Sequence, residues 1–331
     1  MKITIKEIAE MAGVSEASVS YVINGKNKVG EKTKNKILKI MKDNNYAPNK
    51  TGRKLRTQKN YMITVASPLE ASPFDNLFYL DITKAVMEKC EEYGYSLSIC
   101  RFSYESGKIP HEFLGGNTDG VIFFQSAAPV ILSELERQEV PFVITDAYST
   151  DPRYVTVTTD NEYFTETALK YLISKGHTDI AIITSQYLPE YHAQTYNTYK
   201  RILSGINRNI PSEWVQSGAW DENSAYECMT RIIDSRHIPE AIFCAGDIFA
   251  VGAMKCAIEH GYKIPDDISF MGIDDILISS YINPPLTTIR IDKKEIGYIS
   301  FDLLFKIMSG ETAESVKIKT YELIERKSIK I

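Results

Sequence analysis

Residues 4–24, TIKEIAEMAGVSEASVSYVIN, leave this chain few options other than two short helices joined by a tight turn. Thr4 and Glu7 form a capping box, in which each side chain satisfies an otherwise orphaned amide at the start of a helix. Ile5, Ile8, Ala9 and Ala12 then recur at helical spacing and define one apolar face. Gly13 ends that helix, because glycine adopts the left-handed conformation without steric cost. Ser15 is suited to cap a second helix, whose inner face is Val19, Val22 and Ile23. The outer face of that second helix is left with Glu16, Ala17, Ser18, Ser20, Tyr21 and Asn24.

Small and hydrogen-bonding side chains on the first turns of an exposed helix suit a DNA major groove. The charge distribution agrees. Residues 1–60 carry 14 basic against 5 acidic side chains, a surplus of nine in a chain whose net charge is −5, so the remainder carries a deficit of fourteen. A basic head on an acidic body fits a phosphate-binding module joined to a larger domain. A third helix over 31–46 places Lys32, Lys34, Lys36 and Lys39 within reach of phosphates, and its buried face is read as Ile37, Leu38 and Met41, closed by Tyr46.

From Tyr61 onward the pattern changes. Apolar runs at 62–67, 95–102, 120–126, 141–146, 155–159, 180–185, 241–246 and 268–274 alternate with amphipathic helices at 78–92, 131–139, 162–175, 195–208, 222–235 and 248–260. That alternation predicts parallel sheets covered on both faces. The runs divide near residue 160, which predicts two Rossmann-like subdomains, and 331 residues suffice for them plus a head. No apolar run reaches the ~18 residues of a membrane span, and the first residues do not form a signal peptide, so a cytoplasmic protein with no membrane partner is expected. Cys90, Cys100, Cys228, Cys244 and Cys256 are scattered through apolar runs, without metal-ligand spacing, and read as reduced core residues. The five histidines form no motif and no nucleophile elbow or phosphate-binding loop is present, so neither an enzyme nor a cofactor or metal is expected.

The motifs taken together resemble the LacI family of transcriptional regulators. The resemblance rests on AGVSEASVSYVIN (12–24), EKTKNKILKIMKDNNY (31–46), APNKTGRKLR (47–56), KGHTDIAII (175–183), IPDDISFMGIDD (264–275) and NPPLTTIR (283–290). It implies an all-α helix-turn-helix head (1–47), a hinge helix and linker (48–60), and a periplasmic-binding-protein-like core. In that core, 61–160 with about 290–320 would form one effector subdomain, and 161–289 with about 321–331 the other. It also implies a homodimer on double-stranded operator DNA. The positions assigned to DNA are Thr4, Ser15, Glu16, Ala17, Ser18, Ser20, Tyr21, Asn24, Asn49, Gly52 and Leu55. Eight or nine residues with an internal glycine do not hold a helix alone, so the hinge is expected to fold on DNA, with Leu55 as its minor-groove wedge.

Ligands of open α/β sheets bind beyond the carboxyl ends of strands. Those ends supply Gln125, Asp146 and Asp274, and Trp220 follows a short strand. Carboxylates and an indole suit a sugar or sugar derivative, since acids accept from hydroxyls and an aromatic face covers C–H surface. Phe78, Thr195 and Asp247 fall at further positions that the family uses for its effector. The chain departs from the family at three places: Thr195 stands where an arginine clamp is usual, Ala245-Gly246-Asp247 lacks a polar side chain, and PLEASPFDNLFY (68–79) is about four residues longer than expected. The expected function is a DNA-binding regulator, most simply a repressor, switched by a small molecule. The alternative is a cytoplasmic sensor whose N-terminal helices contact protein rather than DNA.

Overall fold

A computed structural model describes residues 3–23, 28–44, 46, 59–69, 74, 76–103, 108–125, 127–147, 151–185 and 189–331. The chain divides into two compact units, Met1–Asn60 and Tyr61–Ile331.

The first unit holds α1 (Ile5–Ala12), α2 (Glu16–Ile23) and α3 (Glu31–Asp43). The capping box forms: the Thr4 amide donates to Glu7 Oε2 at 2.7 Å, and the Glu7 amide donates to Thr4 Oγ1 at 3.3 Å. Gly13 closes α1 at φ 65°, where a side chain would be strained. The Ser18 amide donates to Ser15 Oγ at 3.1 Å, so Ser15 caps α2. Ile8, Ala9, Ala12, Val19, Val22 and Ile37 form the core of this unit. Leu38 departs from expectation: it is 44% exposed, and Ile40 packs in its stead. The reason is helical geometry, because Ile37, Ile40 and Met41 share one face at i, i+3 and i+4, whereas Leu38 is turned about 100° away.

The second unit contains two six-stranded sheets. In the first, β1 (Met62–Pro68) is followed by α4 (Leu77–Tyr93), β2 (Ser96–Phe102), β3 (Gly120–Phe124), α5 (Pro129–Arg137), β4 (Phe142–Thr145) and β5 (Thr156–Thr159). The second begins after α6 (Asn161–Ser174) with β6 (Ile180–Ile183), α7 (Pro189–Gly205), β7 (Val215–Gln216), α8 (Glu222–Asp234), β8 (Ala241–Cys244), α9 (Asp247–Glu259), β9 (Ser269–Asp274) and β10 (Thr287–Ile291). Then α10 (Lys293–Met308) packs on α4, β11 (Val316–Ile318) joins β5, and β12 (Tyr321–Ile324) joins β10. The orders are β11-β5-β4-β3-β1-β2 and β12-β10-β9-β8-β6-β7. Every pairing is parallel except β10 with β12.

Both sheets reverse their strand order beside a central strand, β1 in the first and β6 in the second, which opens a crevice at the carboxyl ends. β3, β6 and β8 are buried along their whole length, as parallel strands covered on both faces must be. The chain returns to the first sheet only after β10, whose Thr288 pairs with Gly272 of β9. The tight fit of α10 on α4 depends on Gly297, since a Cβ there would lie 2.6 Å from Ala85 Cβ. All five cysteines are free and buried. Their thiols are inert for that reason; burial pushes Cys90 and Cys100 up to about 12. His177 Nε2 lies 3.2 Å from the Lys330 carbonyl and 3.1 Å from Ser269 Oγ, which fastens the end of the chain to β9. Among the described residues, no helix is long and apolar enough to cross a membrane.

Candidate functional site

In the first unit, Glu16 and Ala17 on α2 are exposed, while Ser18, Ser20 and Tyr21 are partly so. Tyr21 is held by Lys28, whose ammonium lies 5.5 Å from the ring centroid. Thr4 and Ser15 have prior duties. The Thr4 hydroxyl donates to Glu7 Oε2 at 2.8 Å, and Ser15 Oγ lies 2.9 Å from Ser18 Oγ while capping α2. The Thr4 backbone and hydroxyl donors hold the Glu7 carboxyl below its usual range, which keeps the cap charged. Asn24, Asn49, Gly52 and Leu55 lie outside the described residues.

In the second unit, a cleft lies beyond the carboxyl ends of both sheets. From the first sheet it is lined by Phe78 and Tyr79 of α4, Gln125 after β3 and Asp146 after β4. From the second come Ser185 after β6, Tyr191 of α7, Trp220, Phe249 of α9 and Asp274 at the end of β9. Gln125, Asp146 and Asp274 have φ of 60°, 59° and 115°. Positive φ costs a non-glycine side chain energy, and three such positions at strand ends around one crevice mark a place where the fold spends stability to aim side chains.

The polar groups are ordered in a chain. Gln125 Nε2 donates to Tyr79 Oη at 2.9 Å, and Tyr79 Oη donates to Asp146 Oδ2 at 2.6 Å. The Tyr79 ring stacks on Phe124, centroids 5.0 Å apart, which fixes its direction. Burial pushes Asp146 up to about 6, against the downward pull of the Tyr79 hydroxyl. Asp274 is raised well above the usual carboxylate range, first by burial and then by the Asp247 charge, against the opposing pull of Lys293. The Lys293 ammonium donates to the backbone carbonyl of Asp274 and, at 3.2 Å, to that of Asp275.

Two expectations need correction. Asp247 does not line the cleft. It is fully buried and accepts from Ser279 Oγ at 2.5 Å, Thr288 Oγ1 at 2.6 Å and the Ile276 amide at 3.2 Å. It approaches β9 so closely that a Cβ at Gly272 would lie 2.1 Å from Asp247 Oδ1. Its carboxylate braces the turn after β9 and pins β10; burial pushes it up to about 7. Thr195 is also buried, and it is not among the described lining residues. The helix that carries it begins at Pro189 rather than at 195, so Tyr191, one turn nearer the start, reaches the cleft. Its hydroxyl donates to the Ala245 carbonyl at 2.6 Å. Pro189 was the available signal, since proline favours the first position of a helix. Trp220 is at the cleft but 59% exposed, a rim rather than a floor. Tyr79 carried no signal apart from its place beside Phe78.

Comparison with known proteins agrees with this geometry. Residues 4–49 match the model for bacterial regulatory proteins of the lacI family, and residues 169–329 match that for a periplasmic binding protein-like domain. The HTH-type transcriptional repressor PurR of Histophilus somni is 32% identical over 336 residues, spanning 99% of this chain and 99% of that protein. This chain belongs to the LacI family. PurR of Mannheimia succiniciproducens is likewise 32% identical over 333 residues, 99% of this chain and 98% of its own. The fold is shared with solved LacI-family structures. The lac repressor bound to ONPG superposes with a TM-score of 0.78 at 24% identity, covering 99% of this chain and 100% of that one. The CelR–cellobiose complex gives 0.72 at 24% identity, covering 98% and 99%. This LacI-family member is therefore a DNA-binding transcriptional regulator, and the relatives named above are transcriptional repressors.

Proposed function

We propose that the chain is a homodimeric repressor that binds a near-palindromic operator through α2 and releases or grips it according to a sugar-like ligand in the cleft. Glu16, Ala17 and Tyr21 are the proposed base readers; Glu16 accepts from cytosine N4 in the major groove. Leu55 is the proposed hinge wedge. Phe78, Gln125, Asp146, Trp220 and Asp274 are the proposed ligand contacts, joined by Tyr79 and Tyr191. The observation that carries the reading is the opposition of Asp146 and Asp274 across one cleft, each at a strand end, each from a different sheet. A ligand held by both carboxylates favours the closed arrangement of the two subdomains, and it shifts the equilibrium only by its unequal affinity for the two states. Acceptor oxygens beside aromatic faces suit a ring that bears hydroxyls and C–H surface.

The homodimer is supported by exposed apolar side chains on one turn of the second subdomain: Leu277, Ile278 and Tyr281 are exposed, Tyr281 to 78%. Light scattering of the full chain tests it. A thermal-shift screen of the full chain against neutral hexoses, pentoses and disaccharides, followed by operator binding with each hit, tests the ligand reading. A ligand at 100 times its Kd stabilises the folded state by about 2.7 kcal/mol. Hits that stabilise the protein but leave operator affinity unchanged would refute the switch.

A further inference from the structure

Asp146 and Asp274 both line the cleft. None of its described lining residues is basic. The arginine that a LacI-family chain carries at the position of Thr195 is absent here. Lys293 donates its ammonium protons to two backbone carbonyls and does not line the cleft, though its charge acts on Asp274 from behind.

The acceptors are directed. Along the chain Gln125–Tyr79–Asp146 the protons run toward Asp146, because Gln125 Nε2 gives to Tyr79 and Tyr79 gives to Asp146 Oδ2. That commits the Tyr79 hydroxyl proton and one Nε2 proton of Gln125 to the wall. Gln125 is 7% exposed, lines the cleft, and its Oε1 has no hydrogen-bond partner among the described residues. A buried acceptor without a donor costs about 1–3 kcal/mol, so its neighbour in the bound state is a donor. Aromatic rings complete the enclosure: Phe78, Tyr79, Tyr191, Trp220 and Phe249 line the same space. Carboxylates among aromatic faces attract ammonium groups through both charge and ring quadrupole.

We infer that the effector carries a protonated amine, seated between Asp146, Asp274 and the Gln125 carbonyl oxygen, and that anionic ligands such as sugar phosphates are excluded. This rests on the effector cleft proposed above and narrows its ligand from a sugar-like molecule to an aminated one. Burial disfavours the charged forms of both carboxylates, and a bound cation favours them more than a neutral hydroxyl does.

The test uses the full chain with matched pairs of probes: glucosamine, galactosamine and mannosamine against glucose, galactose and mannose, and putrescine against 1,4-butanediol. Calorimetry is expected to find an aminated probe that binds about tenfold or more tightly than its neutral counterpart. Asp146→Asn and Asp274→Asn should each erase most of that preference. Circular dichroism and operator binding of the variants separate loss of charge from loss of fold. A neutral counterpart that binds equally or better overturns the amine assignment and leaves the effector reading standing. Failure of every aminated probe to bind also overturns it; the effector reading is then judged separately, by whether a small-molecule extract alters operator binding.

Discussion

Replacing Asp247 with alanine separates a brace from a ligand contact. The carboxylate serves three donors, the hydroxyls of Ser279 and Thr288 and the amide of Ile276, at a site with no solvent access. Unmet buried donors cost about 1–3 kcal/mol each, least for hydroxyls that can rotate, so the loss at acidic pH is about 3–5 kcal/mol. The same substitution removes a titration. The folded state holds this carboxyl at about 7 instead of 3.8, chiefly through burial. A raised folded pKa means that the contribution is fully present below about 3.8 and is lost as pH rises toward 7. Between pH 5 and 7 that loss is roughly 3 kcal/mol, at about 1.4 kcal/mol per unit. Asp247→Ala should therefore be most destabilising at acidic pH, less so as pH rises from 5, and least above pH 7. Trp214 and Trp220 both lie in the second unit, so urea unfolding followed by tryptophan fluorescence reports on that unit alone. A penalty that stays constant or grows with pH would refute the brace, as would a stable variant that has lost only ligand affinity.

Three further outcomes follow from the same geometry. Glu16→Gln should alter operator preference at one symmetric base pair per half-site by ~1–3 kcal/mol, read by selection from random DNA; an unchanged preference removes Glu16 from base readout. Leu55→Ala should weaken specific binding far more than non-specific binding, since phosphate contacts remain; equal losses would contradict a minor-groove wedge. Tyr79→Phe breaks the chain from Gln125 to Asp146 and should lower ligand affinity about tenfold with little change in melting temperature, so calorimetry showing native affinity would exclude it as the positioning residue.

Local rules carried the head a long way. Thr4 with Glu7, Gly13 and Ser15 are each short-range signals, and each does what its spacing implies. Leu38 belongs to the same apolar run as Ile37 but projects about 100° away on the helical wheel, so it faces solvent. In the larger unit, strand ends were legible because apolar runs stop where the chain leaves the sheet, and Gln125, Asp146 and Asp274 stand there. Which of the polar residues near those ends face the cleft was not legible. Asp247 follows β8 as Asp146 follows β4, but its direction is decided by three donors from remote segments, residues 276, 279 and 288. Tyr79 and Tyr191 are placed by the phases of α4 and α7, and α7 begins at Pro189, six residues before the expected start at 195.

The central claim is that operator affinity is switched through the cleft. Its most direct measurement is the ratio of operator affinities with and without a saturating cleft ligand, by fluorescence anisotropy, for the native chain and for Asp274→Ala. The ligand is whichever probe raises the native melting temperature. The account predicts a change of about tenfold or more for the native chain and a ratio near one for Asp274→Ala at the same ligand concentration. A variant whose operator affinity responds as strongly as the native chain's would contradict it.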